Sequence, residues 1–314
     1  MTALTLAIPS KGRLKEQTEE YFEDCGLKFK QSGGDRGYTA TLDGMTGVNV
    51  LLLSASEIAK GVLDGTYHLG VTGEDLLREH ATSFDDQAWL LKSLGFGFAR
   101  MVVAVPESWI DVDTIADLED VGHVFSAKHG RRMRVATKYL NCSRRFFAEK
   151  GLTQYRLVDS AGATEAAPTS GTAEFIVDIT TTGSTLRANN LKIISDGEML
   201  ASQAQLSASL KADWQPETLA SLKYLLDLIE ARQRAKKSRV IVSPRSLSAV
   251  AGRFAPSGIS LGDQLVLPAG EANSAAIRLA SEGFAPIHVQ NPEFLFLDTN
   301  ETYTNFSSAL RRNA

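Results

Sequence analysis

The pattern of apolar and polar positions divides the first 190 residues into short apolar runs and longer amphipathic stretches. The runs at 4–9, 48–53 and 69–71 are rich in leucine, isoleucine and valine, which predicts buried strands. Residues 11–25 and 55–64 carry apolar side chains at helical spacing and are predicted to be helices. Strands that alternate with helices in this way predict parallel sheets covered on both faces.

The alternation continues through a second block of the chain. Apolar runs at 100–105, 135–137 and 175–179 predict strands, and residues 143–150 predict a helix. The strand at 100–105 thus starts a new block with the same alternation of strands and helices.

The last third of the chain has a different pattern. A long helix is predicted at 216–237, where leucine and isoleucine recur on one face. The elements after it are strands at 239–243 and 259–267, helices at 246–254 and 271–282, and an extended segment at 285–297. This tract predicts a small α+β domain. Residues after Asn300 are polar and are expected to fray at the chain end.

Composition narrows the class of protein. At 314 residues the chain is too long for one typical core, and its net charge of −4 argues against a general nucleic-acid or membrane surface. Cys25 and Cys142 have no metal-like spacing and the five histidines are scattered, so we expect buried thiols and no zinc site. A basic run at 128–134 indicates a solvated face or a phosphate-attracting one. The absence of a long apolar stretch and of a signal-peptide core predicts a soluble cytoplasmic protein.

One segment combines a predicted strand with an unusual turn. Residues 174–179 lead into a turn around Gly183 and then into helical spacing. The turn is crowded with hydroxyl side chains, namely Thr180, Thr181, Thr182, Ser184 and Thr185. Backbone N–H groups, hydroxyl donors and a helix start together suit a phosphate group. The alternative is an ordinary turn whose hydroxyls cap the helix.

Two carboxylates precede this turn on the predicted strand. Glu174 and Asp178 are four residues apart, so the period of two places both side chains on the same face. Carboxylates accept hydrogen bonds from the neighbouring hydroxyls of a sugar. Phosphate donors beside hydroxyl acceptors indicate that the ligand is a ribose phosphate.

Four further segments stand in the order of motifs in a known family. They are the Lys-Gly-Arg turn at 11–13, the strand-to-helix turn at 69–75, the Ala-Thr-Lys-Tyr run at 136–139 and the acidic turn at 160–168. Together with 174–186 they resemble the ATP phosphoribosyltransferase family, the first enzyme of histidine biosynthesis. The segment 174–186 itself resembles the family's loop for 5-phosphoribosyl-1-pyrophosphate (PRPP).

The resemblance implies a two-lobed α/β core, like that of periplasmic binding proteins, with a small C-terminal α+β domain. Lobe one would take residues 1–97 and a return at 188–212, and lobe two would take 98–187. A connecting helix would follow at 213–237. Residues 238–314 would form the last domain, with a regulatory or oligomerisation role.

The resemblance also implies a reaction. N1 of the ATP adenine would attack C1 of the PRPP ribose, and pyrophosphate would leave with Mg²⁺ bound to it. Lys11 and Arg13 would act as catalytic cations near the phosphates, and Arg36 in the glycine-rich loop would reach over the pyrophosphate. Solvated surface positions are the alternative for these three side chains. No metal ligands are assigned.

The PRPP-binding residues implied by the resemblance are Glu174, Asp178, Lys138 and the turn from Thr180 through Gly183 to Thr185. An ordinary salt bridge is the alternative for Lys138.

The residues implied for ATP are Gly12, Gly73 and Glu165. Tight strand–helix packing is the alternative for Gly73, and a helix-capping role is the alternative for Glu165. Ser54 stands where many relatives carry an arginine, so the charge that this arginine gives to phosphates must come from elsewhere.

Partners are implied in the same way. Histidine would be a feedback inhibitor, the protein would form a homo-oligomer, and a histidyl-tRNA-synthetase-like regulatory subunit would be a possible partner. A two-lobed solute-binding protein and a catalytically silent regulatory subunit are the competing interpretations. The first predicts a signal peptide, and the second predicts the loss of Asp178 or of Lys11 and Arg13, so neither fits the sequence as well.

Overall fold

The computed structural model describes residues 3–32, 38–160, 162–254, 258–261 and 263–313. Within them the chain forms three β-sheets with helices packed against them. The strands are β1 (Leu4–Pro9), β2 (Phe29–Ser32), β3 (Thr39–Leu42), β4 (Val48–Leu53), β5 (Leu69–Gly73), β6 (Ala88–Ser93), β7 (Ala99–Pro106), β8 (Met133–Thr137), β9 (Tyr155–Asp159), β10 (Phe175–Thr180), β11 (Leu191–Ser202), β12 (Ala204–Ser209), β13 (Ser238–Val242), β14 (Ile259–Leu261), β15 (Gln264–Pro268) and β16 (His288–Gln290). The helices are α1 (Gly12–Asp24), α2 (Ala55–Asp64), α3 (Glu74–His80), α4 (Phe84–Gln87), α5 (Ile115–His129), α6 (Leu140–Lys150), α7 (Ser184–Ala188), α8 (Pro216–Lys237), α9 (Ser248–Ala251), α10 (Ala269–Leu279) and α11 (Glu301–Asn313).

The first lobe is built on a seven-stranded sheet with the order β2-β3-β4-β1-β5-β12-β6. β1 lies at its centre and pairs in parallel with β4 and β5. Apolar side chains of these strands enter two separate buried clusters, one on each face of the sheet, because helices cover both faces. Helix α1 follows β1 and α3 follows β5, so both turns lie at the carboxyl edge of the sheet.

The second lobe is built on a five-stranded sheet with the order β11-β7-β10-β8-β9. β10, β8 and β9 are parallel, whereas β7 runs against both of its neighbours. Fully buried Phe147 of α6 packs on Phe175 of β10 with ring centroids 6.2 Å apart. Because β8 and β10 run in the same direction, the turns that follow them lie side by side at one edge of the sheet.

The two-lobed α/β class is confirmed, but the prediction of purely parallel sheets is wrong. β2 and β3 form an antiparallel hairpin, and β12 enters the first sheet from the second lobe and runs against β5. The predicted return to lobe one at 188 is also wrong. Residues 191–202 form β11, which pairs along the open edge of β7, so the chain returns after Ser202.

Helices α8 and α11 belong to the core of the first lobe. Leu222, Leu226 and Ile229 of α8 are buried in the same apolar cluster as Phe306 of α11. The Phe306 ring packs against Trp214 with centroids 5.1 Å apart. The expectation that the chain end frays is therefore wrong, and α11 lies outside the C-terminal domain that was predicted for 238–314.

The residues between α8 and α11 form the small α+β unit that the pattern predicts. Its sheet is antiparallel, with the order β14-β15-β13-β16, and α10 packs on one face. The strand predicted at 259–267 is instead the hairpin of β14 and β15. The helix predicted at 246–254 is shortened to α9 and a single 3₁₀ turn at Gly252–Phe254.

The prediction of a buried thiol is confirmed for each of the two cysteines. Cys25 and Cys142 are buried free thiols, and burial raises the pKa of each to about 12. No helix within the described residues combines the length and the apolarity needed to cross a membrane.

Candidate active site

The hydroxyl-rich turn lies where β10 ends and α7 begins, and its own side chains fix its shape. The Thr180 hydroxyl accepts a hydrogen bond from the Gly183 backbone N–H at 2.8 Å, and the Thr182 hydroxyl donates to Ser184 Oγ at 2.9 Å. Gly183 has a φ of 73°, in the left-handed region that favours glycine. The side chains of Thr182, Ser184 and Thr185 are exposed. The turn is therefore formed in advance, with its polar groups facing open space.

Two cavities meet at this turn. A cavity of about 280 Å³ is lined almost wholly by the turn, from Ile179 to Thr185, and by Ala99. A second cavity of about 430 Å³ lies beside it and is lined by Arg13, Leu14, Gln17, Gly95, Phe96, Gly97, Phe98 and Thr181. Thr181 lines both cavities, so the turn of the second lobe and the start of α1 in the first lobe face one cleft.

The Lys-Gly-Arg turn occupies the first lobe's side of this cleft. Gly12 has a φ of 72°, which allows the chain to reverse directly from β1 into α1. Lys11 and Arg13 are exposed, and neither forms an ion pair with a residue that the structure describes. Two cations that have no carboxylate partner in the described chain remain available to a polyanion. Arg36, the third predicted cation, lies outside the described residues.

Asp178 lies near the carboxyl end of β10, next to other predicted site residues. Burial raises the pKa of its carboxyl group, the Ile179 backbone N–H at 2.8 Å and the Lys138 ammonium lower it, and the Glu165 carboxylate raises it further. The structure thus brings Asp178, Glu165 and Lys138 into one electrostatic neighbourhood. Lys138 forms no salt bridge with the described residues, so the alternative reading for this lysine is not supported.

Glu174 is not part of this neighbourhood. It precedes Asp178 by four residues of extended chain, which separates their Cα atoms by roughly 13 Å. The two carboxylates therefore cannot bind the same pair of ribose hydroxyls. Its carboxylate accepts two hydrogen bonds from Arg131, at 2.9 and 3.0 Å, and others from Arg134, including the backbone N–H at 2.6 Å. Burial opposes ionisation, but these arginines lower the pKa of Glu174 to about 2. The predicted grouping of Glu174 with Asp178 is wrong, and two arginines of the basic run serve to bind Glu174.

Gly73 has a packing role. A Cβ at this position would lie 2.3 Å from Oδ1 of Asp75, so the glycine leaves room for that carboxylate. Asp75 is buried and accepts hydrogen bonds from the Ser202 hydroxyl at 2.8 Å and from the Tyr139 hydroxyl at 3.2 Å. Since Tyr139 follows Lys138 at the end of β8, Asp75 connects the end of this strand in the second lobe to α3 of the first lobe. Burial, with the charge of Asp75, raises the pKa of Tyr139.

A second carboxylate crosses between the lobes. Glu79 of α3 is 5% exposed and accepts hydrogen bonds from the backbone N–H groups of Asn141 at 3.0 Å and Cys142 at 2.9 Å. These are donors of the first turn of α6, so Glu79 caps a helix of the other lobe. Sequence reasoning missed this contact. The available signal was the spacing of four between Asp75 and Glu79, which places two acids on one face of a short helix.

Ser54 has a local structural role. Its hydroxyl accepts a hydrogen bond from the Glu57 backbone N–H, and the Glu57 carboxylate accepts one from the Ser54 N–H at 3.0 Å, which is a capping box at the start of α2. Glu165 lies in a 3₁₀ turn, Thr164–Ala166, and its carboxylate accepts no capping hydrogen bond from the residues that the structure describes. No group of three or more acidic, histidine or cysteine side chains in the described part of the chain is arranged to hold a metal ion.

Comparison with known proteins gives a consistent result. The family model for ATP phosphoribosyltransferase matches residues 54–230. A protein named ATP phosphoribosyltransferase from Caulobacter vibrioides is 49% identical over 315 residues, covering 99% of this chain and 98% of that protein. One of the same name from a Bradyrhizobium species is 56% identical over 238 residues, covering 76% of this chain and 73% of that protein. Among solved structures, the ATP phosphoribosyl transferase (HisG:HisZ) complex from Thermotoga maritima matches with a TM-score of 0.55 and 26% identity, covering 72% of this chain and 98% of that chain.

Proposed function

Because the chain belongs to the ATP phosphoribosyltransferase family, we propose that the cleft between the hydroxyl turn and the Lys-Gly-Arg turn is its active site. An enzyme of this family joins N1 of the ATP adenine to C1 of the PRPP ribose and releases pyrophosphate, the first step of histidine biosynthesis. The observation that carries the proposed location is Thr181, which lines both the hydroxyl cavity and the cavity that contains Arg13.

PRPP fits the second lobe's side of the cleft. The 5-phosphate would receive hydrogen bonds from the hydroxyls and backbone N–H groups of the turn at 180–185. Asp178 would accept hydrogen bonds from the ribose hydroxyls, and the Lys138 charge would meet a phosphate. Asp178 is suited to this position because its carboxylate is partly desolvated, and hydrogen bonds from a diol would replace the water that burial removes. Glu174 would contribute only indirectly, by holding β10 against β8.

The leaving group requires positive charge on the opposite side. Negative charge grows on the pyrophosphate as the C1–O bond breaks, while C1 becomes cation-like. Lys11 and Arg13 lie at the carboxyl edge of the first sheet and are not neutralised by described carboxylates, so they would stabilise that charge. Arg36 is proposed for the same role from the family pattern alone.

ATP would occupy the larger cavity beside the turn. Its lining combines apolar surface from Leu14, Phe96 and Phe98 with the polar amide of Gln17, a composition that suits a purine ring. Gly12 and Glu165 remain proposed ATP contacts. Gly73 does not need this role, because the Asp75 carboxylate already explains the glycine.

Mg²⁺ is the proposed cofactor, and the residues present fit a metal ion carried by the substrate. Mg²⁺ in such sites is held by one or two carboxylates and by phosphate oxygens. Asp178 and Glu165 are close enough to repel each other's charge, which a divalent cation would relieve. When bound, the ion would neutralise phosphate charge. The protein side chains would orient the ribose and exclude water around C1.

Histidine inhibition, a homo-oligomer and a histidyl-tRNA-synthetase-like subunit are proposed as regulatory features. Support for a partner subunit comes from the similarity to the Thermotoga maritima (HisG:HisZ) complex. A cytoplasmic location, where ATP and PRPP are available, is part of the same proposal.

The decisive experiment measures catalysis. ATP, PRPP and Mg²⁺ are mixed with the purified protein, and the absorbance of phosphoribosyl-ATP is followed. Arg13→Gln is compared with Arg144→Gln, an exposed arginine of α6 that does not line the cleft. We expect Arg13→Gln to lower kcat at least tenfold and Arg144→Gln to leave it within about twofold. Equal rates for the two variants would show that the reaction takes place elsewhere.

A further inference from the structure

A third cavity lies at the seam between the two lobes. Its volume is about 340 Å³, and among the described residues it shares no lining residue with the two cavities of the cleft. Ala81 and Phe84 contribute from the first lobe, and Phe146 contributes from α6 of the second lobe. Further apolar lining comes from Met101, Met199 and Leu200 of the second sheet. The cavity therefore presents an apolar wall large enough for a small organic molecule.

Two side chains of opposite charge lie beside this apolar wall. Arg145 and Glu149 both line the cavity and are four residues apart on α6, so their Cβ atoms are about 5–6 Å apart. They nevertheless form no ion pair with each other. The order of arginine before glutamate is the weaker one for such a pair on a helix, which agrees with its absence. Both charges are available to a third group.

The Arg145 guanidinium is held in position by hydrogen bonds from one of its three nitrogens. Its Nη2 donates to the backbone carbonyl of Arg78 across the seam and to Cys142 Sγ. Its Nη1 and Nε have no hydrogen-bond partner among the residues that the structure describes. The neighbouring guanidinium of Arg78 is already bound to Glu74 at 2.7 Å and lies over the Phe84 ring. Arg145 is thus the arginine of this cavity that has no carboxylate partner among the described residues, and its Nη1 and Nε are open donors for a carboxylate.

We propose that this cavity binds an α-amino acid with an apolar or aromatic side chain. The carboxylate would take the open donors of Arg145, the ammonium group would meet Glu149, and the side chain would lie on the apolar wall. A simple carboxylic acid would leave Glu149 unpaired beside a second negative charge, and a simple amine would leave Arg145 unpaired. An α-amino acid satisfies both, because its two charges are only two bonds apart.

Such a ligand would regulate the enzyme rather than take part in its reaction. Its contacts come from both lobes, so its affinity depends on how the lobes are arranged, and by linkage it changes the affinity of the cleft for PRPP. This regulation goes beyond the proposed function, but the binding itself does not depend on it.

The first test uses three probes of the same shape. L-Phenylalanine carries both charges, 3-phenylpropionate lacks the ammonium group, and phenethylamine lacks the carboxylate. Isothermal titration of the full chain should show phenylalanine binding at least about tenfold more tightly than either analogue, because each lost charged hydrogen bond is worth about that factor. Equal affinities, or no phenylalanine binding up to ~10 mM, which is weaker than a ligand of this size should show, would overturn the proposal.

Variants then locate the site. Glu149→Gln should weaken phenylalanine about tenfold and leave 3-phenylpropionate no weaker, whereas Arg145→Gln should weaken both. Arg144→Gln is the matched control, because Arg144 is exposed on α6 and does not line the cavity. If Arg145→Gln does not fold, Met199→Trp, which fills the cavity, must abolish binding. Retained binding in that variant would place the ligand elsewhere. None of these titrations requires turnover, so failure here would leave the assignment of the active site intact.

Discussion

Removing the Glu79 carboxylate should destabilise the protein more than removing any exposed helix cap. In Glu79→Ala the backbone N–H groups of Asn141 and Cys142 lose an acceptor that lies 2.9 to 3.0 Å away. Cys142 is buried, so water does not easily replace that acceptor. A hydrogen bond to a charged group is worth about 1.5–3 kcal/mol, and an unsatisfied buried donor adds a cost of about 1–3 kcal/mol. Partial solvation of Asn141 reduces the total, and we expect a loss of about 3 kcal/mol in the free energy of unfolding.

Urea unfolding, followed by tryptophan fluorescence and by circular dichroism, measures this loss. The matched control is Glu57→Ala, which removes the exposed acid of the α2 capping box and should cost about 1 kcal/mol or less. Glu79→Gln keeps one acceptor oxygen and should fall between the two. If Glu79→Ala costs no more than Glu57→Ala, the carboxylate does not join the lobes in solution, and the reasoning is refuted.

Three further outcomes follow from the site. Asp178→Ala should weaken PRPP binding at least tenfold and leave ATP binding within about twofold, as measured by titration, and equal losses would contradict the assignment. The pKa of Glu174 is depressed to about 2 in the folded state, below its usual value of 4.5, so its ion pairs stabilise the fold above about pH 4.5 and that stability is lost as the pH falls toward 2. Glu174→Gln should therefore flatten the fall of the urea midpoint between about pH 5 and about pH 3, and an unchanged slope would rule out this linkage. Gly73→Ala should cost about 2 kcal/mol because its Cβ meets the Asp75 carboxylate, and most of that cost should vanish in an Asp75→Ala background; strict additivity would count against the clash.

Local patterns were enough to predict much of the core. The apolar runs of β1 and β5 are recognisable because both faces of these strands are almost wholly buried. The runs of β4 and β10 are recognisable because their apolar residues are nearly continuous in sequence, although both strands also have partly exposed positions. The turn around Gly183 is recognisable because its hydroxyls are consecutive in sequence. The predicted site residues Arg13, Asp178 and Lys138 do lie near the carboxyl ends of strands, since a strand and the turn after it are positioned together.

Contacts between distant segments could not be predicted in this way. Glu79 caps a helix more than sixty residues away. Its spacing of four from Asp75 indicates an acidic face of α3, but it does not specify which distant segment that face contacts. The spacing of Glu174 agrees with the period of two, but its carboxylate binds Arg131 and Arg134 instead of lying beside Asp178. These arginines are close to Glu174 because β8 pairs with β10. The period of two predicts the face of the strand on which a side chain lies. Which residue that side chain contacts depends on the neighbouring strand.

The prediction that residues after Asn300 fray was wrong for a related reason. Helix α11 has few apolar residues, but Phe306 and Ala309 are buried, and Tyr303 and Leu310 pack against the same cluster as Phe306. The Phe306 ring lies beside Trp214. Asn300 begins this helix by bonding both the Tyr303 N–H, at 3.1 Å, and the side chain of Asp227 in α8, at 2.9 Å. A few apolar side chains on one face and a helix cap are therefore enough to hold a helix whose overall composition is polar.

The return of α11 to the first lobe changes how the C-terminal domain can be removed. The domain is an insertion held at both ends, so a stop codon after Lys237 deletes a catalytic-lobe helix as well. Such a truncated enzyme would expose the apolar surface that Phe306 covers and would be prone to aggregate, whatever the deleted domain does. An informative deletion replaces the residues between α8 and Asn300 with a short glycine-serine bridge, leaving α11 seated.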